Sequence, residues 1–215
     1  MIISPGRAYI FVHIPKTGGT SLSAALEGRA MRGDILIGDT PKALRRRGRL
    51  KGLRAKGPLW KHASLDDIEG VMPPEWMDRA FVFTIVRNPW DRLVSYYHWL
   101  RVQSFDHPAV RAAHGHGFAD FLALPEMQAS IRAFPYGRYV QAKGQDRCCL
   151  FIRLERFAED AVPLWDHLGF QLALPHLNAS ARSADYAEYY DAGTRRLVES
   201  LCGEDIDRFR YRFGA

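Results

Sequence analysis

Residues Tyr9 to Ser21, YIFVHIPKTGGTS, constrain the fold more than any other stretch of this chain. The apolar run Tyr9, Ile10, Phe11, Val12 and Ile14 is rich in β-branched and aromatic residues, and Pro15 stops it, so it predicts a buried strand over Tyr9 to Ile14. Gly18 and Gly19 permit positive φ and close backbone approach. Thr20 and Ser21 are candidates to cap a helix over Thr20 to Arg29 that carries Leu22, Ala25 and Leu26. Such a corner aims N–H groups and the positive end of a helix outward beside the Lys16 ammonium, which suits an anion such as a phosphate. It is not a known nucleotide fingerprint: in GxxxxGK[ST] the Lys follows the last Gly, here it precedes both, and GxGxxG is absent. Plain strand-turn-helix corners also contain Gly and Pro, so this segment alone leaves both readings open.

Ala80 to Arg101, AFVFTIVRNPWDRLVSYYHWLR, repeats the arrangement. Phe81 to Val86 predicts a second strand. Asn88 is a good N-cap, Pro89 suits the first helical position, and Asp91 is placed as a capping acid for a helix over Pro89 to Arg101. Arg87 then falls at the carboxyl end of a strand, the edge where a parallel α/β sheet binds ligands, and its guanidinium can fork onto a phosphate. Ser95 can add a hydroxyl. The bland alternative makes Arg87 a salt-bridge partner and Ser95 a filler.

Together the two segments resemble the sulfotransferases that use 3'-phosphoadenylyl sulfate (PAPS), especially the carbohydrate branch with the heparan sulfate 2-O- and chondroitin-type enzymes. The resemblance implies that Pro15, Lys16, Thr17, Gly18, Gly19, Thr20 and Ser21 wrap the 5'-phosphosulfate, and that Arg87 and Ser95 bind the 3'-phosphate. Pro175 to Phe213 looks like the family's carboxyl-terminal segment; by that similarity Asn178 to Arg182 form a loop over the nucleotide and Arg182 adds a cation near the 3'-phosphate. Leu197, Val198, Leu201, Ile206, Phe209 and Phe213 are expected to pack on the core. The implied fold is α/β, a P-loop-like parallel β-sheet flanked by helices in a single sulfotransferase-type domain over residues 1–215. The implied product is adenosine 3',5'-bisphosphate (PAP), and no metal is expected.

Sulfuryl transfer to an alcohol needs a group to take the hydroxyl proton and one to steady charge on the leaving oxygen. Among the eight His residues, His62 in WKHASLDDI is the candidate base, because it lies between the two phosphate segments and because the resembling glycan enzymes carry a base His in a similar position. Ser64 after it reads as an N-cap for Leu65 to Gly70. Lys16 is the candidate for the leaving oxygen. His13 reads as a packed core residue and His98 as a helix neighbour, while His167 and His176 read as structural. His107, His114 and His116 cluster with Asp106 and Asp120, but the spacing fits no metal motif.

The 215 residues, 47% hydrophobic, suffice for one core without staples. Cys148, Cys149 and Cys202 form no CxxC pair; the first two read as part of a buried strand over Cys148 to Leu154, in a reducing compartment. Without a membrane-length apolar run or a signal core, a cytoplasmic location is expected. The net charge is +6, and much of the excess lies between Lys42 and Lys61. That stretch reads either as a solvated mobile loop or as an attractor for an anionic or lipid-linked saccharide acceptor; no nucleic-acid motif accompanies it. Further helices are expected over Phe118 to Leu124, Ile131 to Ala142 and Arg156 to Leu168, the last bent near Pro163. Ser104 to Gln145 carries no assignable motif. Two other functions stay open: a nucleotide-dependent phosphotransferase, and a polyanion-binding protein with a vestigial nucleotide pocket.

Overall fold

The computed structural model describes residues 1–174 and 182–214. In chain order its elements begin with β1 (Ile2–Ser4), β2 (Tyr9–Val12), α1 (Gly19–Gly28), β3 (Ile35–Leu36), α2 (Pro41–Arg46), α3 (Pro74–Arg79) and β4 (Phe81–Val86). There follow α4 (Pro89–Leu100), α5 (Pro108–Gly115), α6 (Phe118–Ala123), α7 (Pro125–Ala133), α8 (Tyr136–Val140), β5 (Gln141–Ala142) and β6 (Gln145–Asp146). The chain closes with β7 (Leu150–Arg153), α9 (Phe157–Asp160), α10 (Val162–Leu168), α11 (Ala192–Leu201) and α12 (Gly203–Phe209). They fall into two compact units, residues 1–86 with 136–178, and residues 87–135 with 179–215.

The first unit is a five-stranded sheet, β3-β1-β2-β4-β7, with helices. β2, β4 and β7 are parallel, in registers that set Tyr9 beside Phe81 and Phe83 beside Leu150. The expected parallel sheet is present in these three strands, and two short antiparallel strands extend it. β1 returns antiparallel to β2 through a turn at Pro5–Arg7, closed by Ala8 at φ 52°, and it also pairs antiparallel with β3. Strands of three and two residues are too short to leave a periodic signal in the sequence. Tyr9, Phe11 and Phe83 pack ring on ring beneath Leu22 and Leu26 of α1, with Leu164 of α10 in the same core. Thr84, buried in β4, donates its hydroxyl to the Val12 carbonyl at 2.7 Å, so its burial leaves no unmet polar group.

The second unit is helical. Trp90, Leu93, Val94 and Tyr97 of α4 meet Phe118, Phe121, Val198 and the partly buried Ile206 and Phe213. The carboxyl-terminal helices thus pack on this core as expected, except for Phe209, which is half-buried against Tyr211.

Several expected boundaries move. The helix over Ile131 to Ala142 is broken at Phe134–Pro135 and ends in β5, because Pro135 keeps the preceding residue out of helical backbone; Phe134 has φ −130° and ψ 59°. The segment after Arg156 is bent as anticipated, with Pro163 in the first turn of α10. Cys148 and Cys149 precede β7 instead of lying within it, half-buried and exposed respectively, and all three cysteines are free thiols. Ser64 does bond Asp67 reciprocally, as a capping pair would, yet Leu65 to Gly70 forms successive turns and no helix.

Candidate active site

In the first unit, the segment after β2 delivers Pro15–Ser21 to the carboxyl edge of the parallel strands. Lys16 holds left-handed backbone at φ 66°, unusual for a residue with a side chain, and Gly18 follows at φ 85°. Thr17 is fully buried and its hydroxyl donates to the Ile14 carbonyl at 3.0 Å, which pins the turn to the end of the strand. The N-cap of α1 is Gly18, which has no side chain to cover the first amides; Thr20 and Ser21 lie inside the helix and do not cap it. Side chains are excluded at both glycines: a Cβ on Gly18 would sit 2.8 Å from Leu154 Cδ1, and one on Gly19 would sit 2.2 Å from His13 Cδ2.

His13 therefore lies directly against the start of α1. Its own carbonyl accepts a hydrogen bond from His62 Nδ1 at 2.8 Å, and the two rings meet edge to face at 4.7 Å. Because a carbonyl only accepts, the proton of neutral His62 is on Nδ1, and Nε2 is left with its lone pair. Burial lowers the pKa of His62 to about 4 and that of His13 well below the ordinary value, so both rings are neutral near pH 7. Trp60 stands edge to face on the other side of His62 at 5.1 Å. The structure thus brings His62 to the loop through His13, a residue that the sequence marked only as core packing.

The second unit opens with Arg87, directly after β4 ends. Its Nε and Nη2 both donate to Asp91 Oδ2, at 2.8 and 2.6 Å, and Arg182 Nη2 donates to Asp91 Oδ1. Asp91 thus holds two guanidiniums at once. Asn88 caps α4 as expected, accepting from the Trp90 amide at 3.1 Å, and Asp91 is the acid of the first helical turn. Ser95 is buried one helical turn beyond Asp91 on the same face of α4. The bland reading of Arg87 as an ion-pair partner is correct as far as it goes, but the partner is shared with the other predicted cation, Arg182. The rest of the expected loop, Asn178 to Ala181, and His176 lie outside the described residues.

The basic stretch is folded for most of its length. Lys42 Nζ donates to the Glu27 carbonyl, Arg46 Nη1 to that of Met31 at 2.8 Å and Arg49 Nη1 to that of Arg32 at 2.7 Å, so these cations serve the carbonyls at and beyond the end of α1. The histidines near Asp106 act locally: His107 Nδ1 accepts from the Ala109 amide and caps α5, and His114 Nε2 bonds the Arg101 carbonyl. Among the described residues no three His, Cys, Asp or Glu converge as a metal site, and no helix is long and apolar enough to cross a membrane.

The first parallel strand of this α/β sheet thus runs through a Lys-bearing turn, with Gly18 at positive φ, into a helix that has no side-chain cap. The model of the Sulfotransferase family matches residues 1–212, and the chain belongs to that family. Its fold is similar to that of the mouse sulfotransferase SULT7A1, crystallised as a complex with PAP, with a TM-score of 0.54 over 97% of this chain and 88% of that one at 18% identity. No curated protein matches the sequence.

Proposed function

We propose that this chain transfers the sulfuryl group of PAPS to a hydroxyl of a carbohydrate acceptor and releases PAP, with His62 as the general base. The residues present fit a nucleotide with two separate anionic groups. The bare, glycine-walled helix start beside Lys16 suits the 5'-phosphosulfate, and the Asp91-held guanidiniums of Arg87 and Arg182, with Ser95, suit the 3'-phosphate. The PAP complex of the similar mouse enzyme supports this choice of nucleotide, and the family match, which runs through both units, supports reading residues 1–215 as one sulfotransferase domain.

When bound, PAPS supplies the activated sulfuryl group. The protein's part is positional and electrostatic. His62 Nε2 takes the acceptor's hydroxyl proton, its ring held by the Nδ1–H bond to His13. Lys16 puts its ammonium where the bridging oxygen gains charge. The observation that supports the reading is that His13 lies against Gly19 in the first turn of α1 while its carbonyl holds His62 through Nδ1.

Calorimetric titration with PAP, ADP and ATP tests it. PAP should bind best, and Arg87→Ala should weaken PAP by about 1.5 to 3 kcal/mol, the range for a charged hydrogen bond, while leaving ADP little changed. Tighter ATP binding by the wild type would favour a phosphotransferase instead.

A further inference from the structure

One nitrogen of the second unit is not accounted for by the fold. His98 Nε2 is sealed from solvent and has no hydrogen-bond partner among the described residues. A buried polar atom in that state costs a protein stability, and native structures keep few of them without a reason. On α4, Ser95 follows Asp91 by four positions and His98 follows Ser95 by three, so the three side chains form one stripe, with neighbouring Cβ atoms about 5 to 6 Å apart. That stripe begins at the carboxylate that holds the Arg87 and Arg182 guanidiniums.

Two tyrosines brace the His98 ring: Tyr97 and Tyr189 meet it edge to face at 5.5 and 5.0 Å. The Tyr189 hydroxyl also accepts from the Ser183 amide at 3.2 Å, which ties the residue after Arg182 to the same aromatic frame. Burial, with the charges of Arg101 on its own helix and Arg182 opposite, lowers the pKa of His98, so near pH 7 the ring is neutral and carries one N–H.

A phosphate monoester offers three strong acceptor oxygens and close to two negative charges. Arg87 directs its Nε and Nη2 at Asp91, Arg182 directs its Nη2 there too, and the carboxylate offsets one of their two positive charges. A neutral donor in line with Ser95 adds a hydrogen bond to such a phosphate without a further buried charge.

Resting on the sulfuryl-transfer reading, we propose that His98 is a further 3'-phosphate ligand, donating from Nε2–H to a phosphate oxygen beside Ser95, so that the nucleotide itself satisfies this buried nitrogen. His98 then discriminates for nucleotides that carry a 3'-phosphate, at a cost to the stability of the protein alone.

Calorimetric titration with PAP and with adenosine 5'-monophosphate, which lacks the 3'-phosphate, tests it on the wild type, His98→Phe and His98→Gln. Phenylalanine keeps a ring against Tyr97 and Tyr189 and removes the donor, whereas glutamine restores an N–H near the position of Nε2. His98→Phe should bind PAP about ten- to a hundredfold more weakly, the effect of losing a hydrogen bond to a charged group, and should bind the monophosphate as the wild type does. His98→Gln should recover most of that loss. Without nucleotide, His98→Phe should melt about 2 to 4 °C above the wild type, because it removes a buried nitrogen that has no partner. Wild-type PAP affinity in His98→Phe, equal losses for the two nucleotides, or no recovery in His98→Gln would overturn the proposal. So would a lower Tm for His98→Phe, which would mean that Nε2 is already bonded in the protein alone. A wild type that does not bind PAP would overturn the sulfuryl-transfer reading as well.

Discussion

His62 shows how one residue's neighbours set its chemistry. In water an imidazole is half protonated near pH 6.5; here burial lowers the pKa to about 4, and the His13 carbonyl fixes which nitrogen carries the proton. The acid limb of kcat/KM for PAPS, which reports the free enzyme, should therefore fall near pH 4; a limb between 6 and 7 would mean that His62 is not the titrating base. Replacing Lys16 by Ala should lower kcat by about two to three powers of ten, as loss of a transition-state donor does, and unchanged turnover would remove Lys16 from the mechanism. Gly19→Ala acts by volume: its Cβ would fall 2.2 Å from His13, so the ring must move, and with it the carbonyl that orients His62. That variant should lose activity out of proportion to any loss of PAP affinity, measured side by side.

At the scale of elements, the two helices that begin after parallel strands are built differently. α1 starts with glycine and has no side-chain cap, whereas α4 is capped by Asn88 and uses its first turn to hold Arg87 through Asp91. The start of α11 is closed by Asp191 and Thr194, joined in a reciprocal capping box. Asp191→Ala should cost about 1 kcal/mol in chemical denaturation, the usual value for a lost cap, with kinetics otherwise unchanged. The basic stretch belongs to this scale too. Arg46 is an end-cap for the chain after α1, so substituting Arg45, Arg46 and Arg47 together should lower thermal stability as well as net charge. If only the salt dependence of turnover changed, the stretch would be acting as an electrostatic surface after all.

For the molecule as a whole, the buried histidines make stability depend on pH in a defined direction. His13 and His62 have folded pKa values below that of the unfolded chain, so the unfolded state binds more protons once the pH drops below about 6.5, and stability falls from there toward pH 4. Glu27 opposes this with the other sign, since burial raises its pKa and its ionisation at higher pH costs the fold. The carboxylates lowered by hydrogen bonds, Asp160 through Arg153 and Asp191 through Thr194, lose their contribution only in a more acidic window. Denaturation midpoints at pH 7.5 and 5 should thus differ in favour of pH 7.5, and the gap should shrink in His62→Gln.

The local code determined a good deal by itself. Apolar runs placed β2 and β4, the glycine pair and Asn88–Pro89 placed the helix starts, and together they made Lys16 and Arg87 candidate anion ligands, because turns and caps are decided by residues adjacent in sequence. The tertiary structure decided what depends on distant partners. It made the sheet mixed through strands too short to carry periodicity, turned the basic stretch into caps for carbonyls many residues away, joined Arg182 to Arg87 through Asp91, and brought His62 to the phosphate loop on the carbonyl of a residue 49 positions earlier. Such pairings leave no pattern along the chain, since each is a contact chosen by the packing of the sheet and helices and not by the neighbours of either residue.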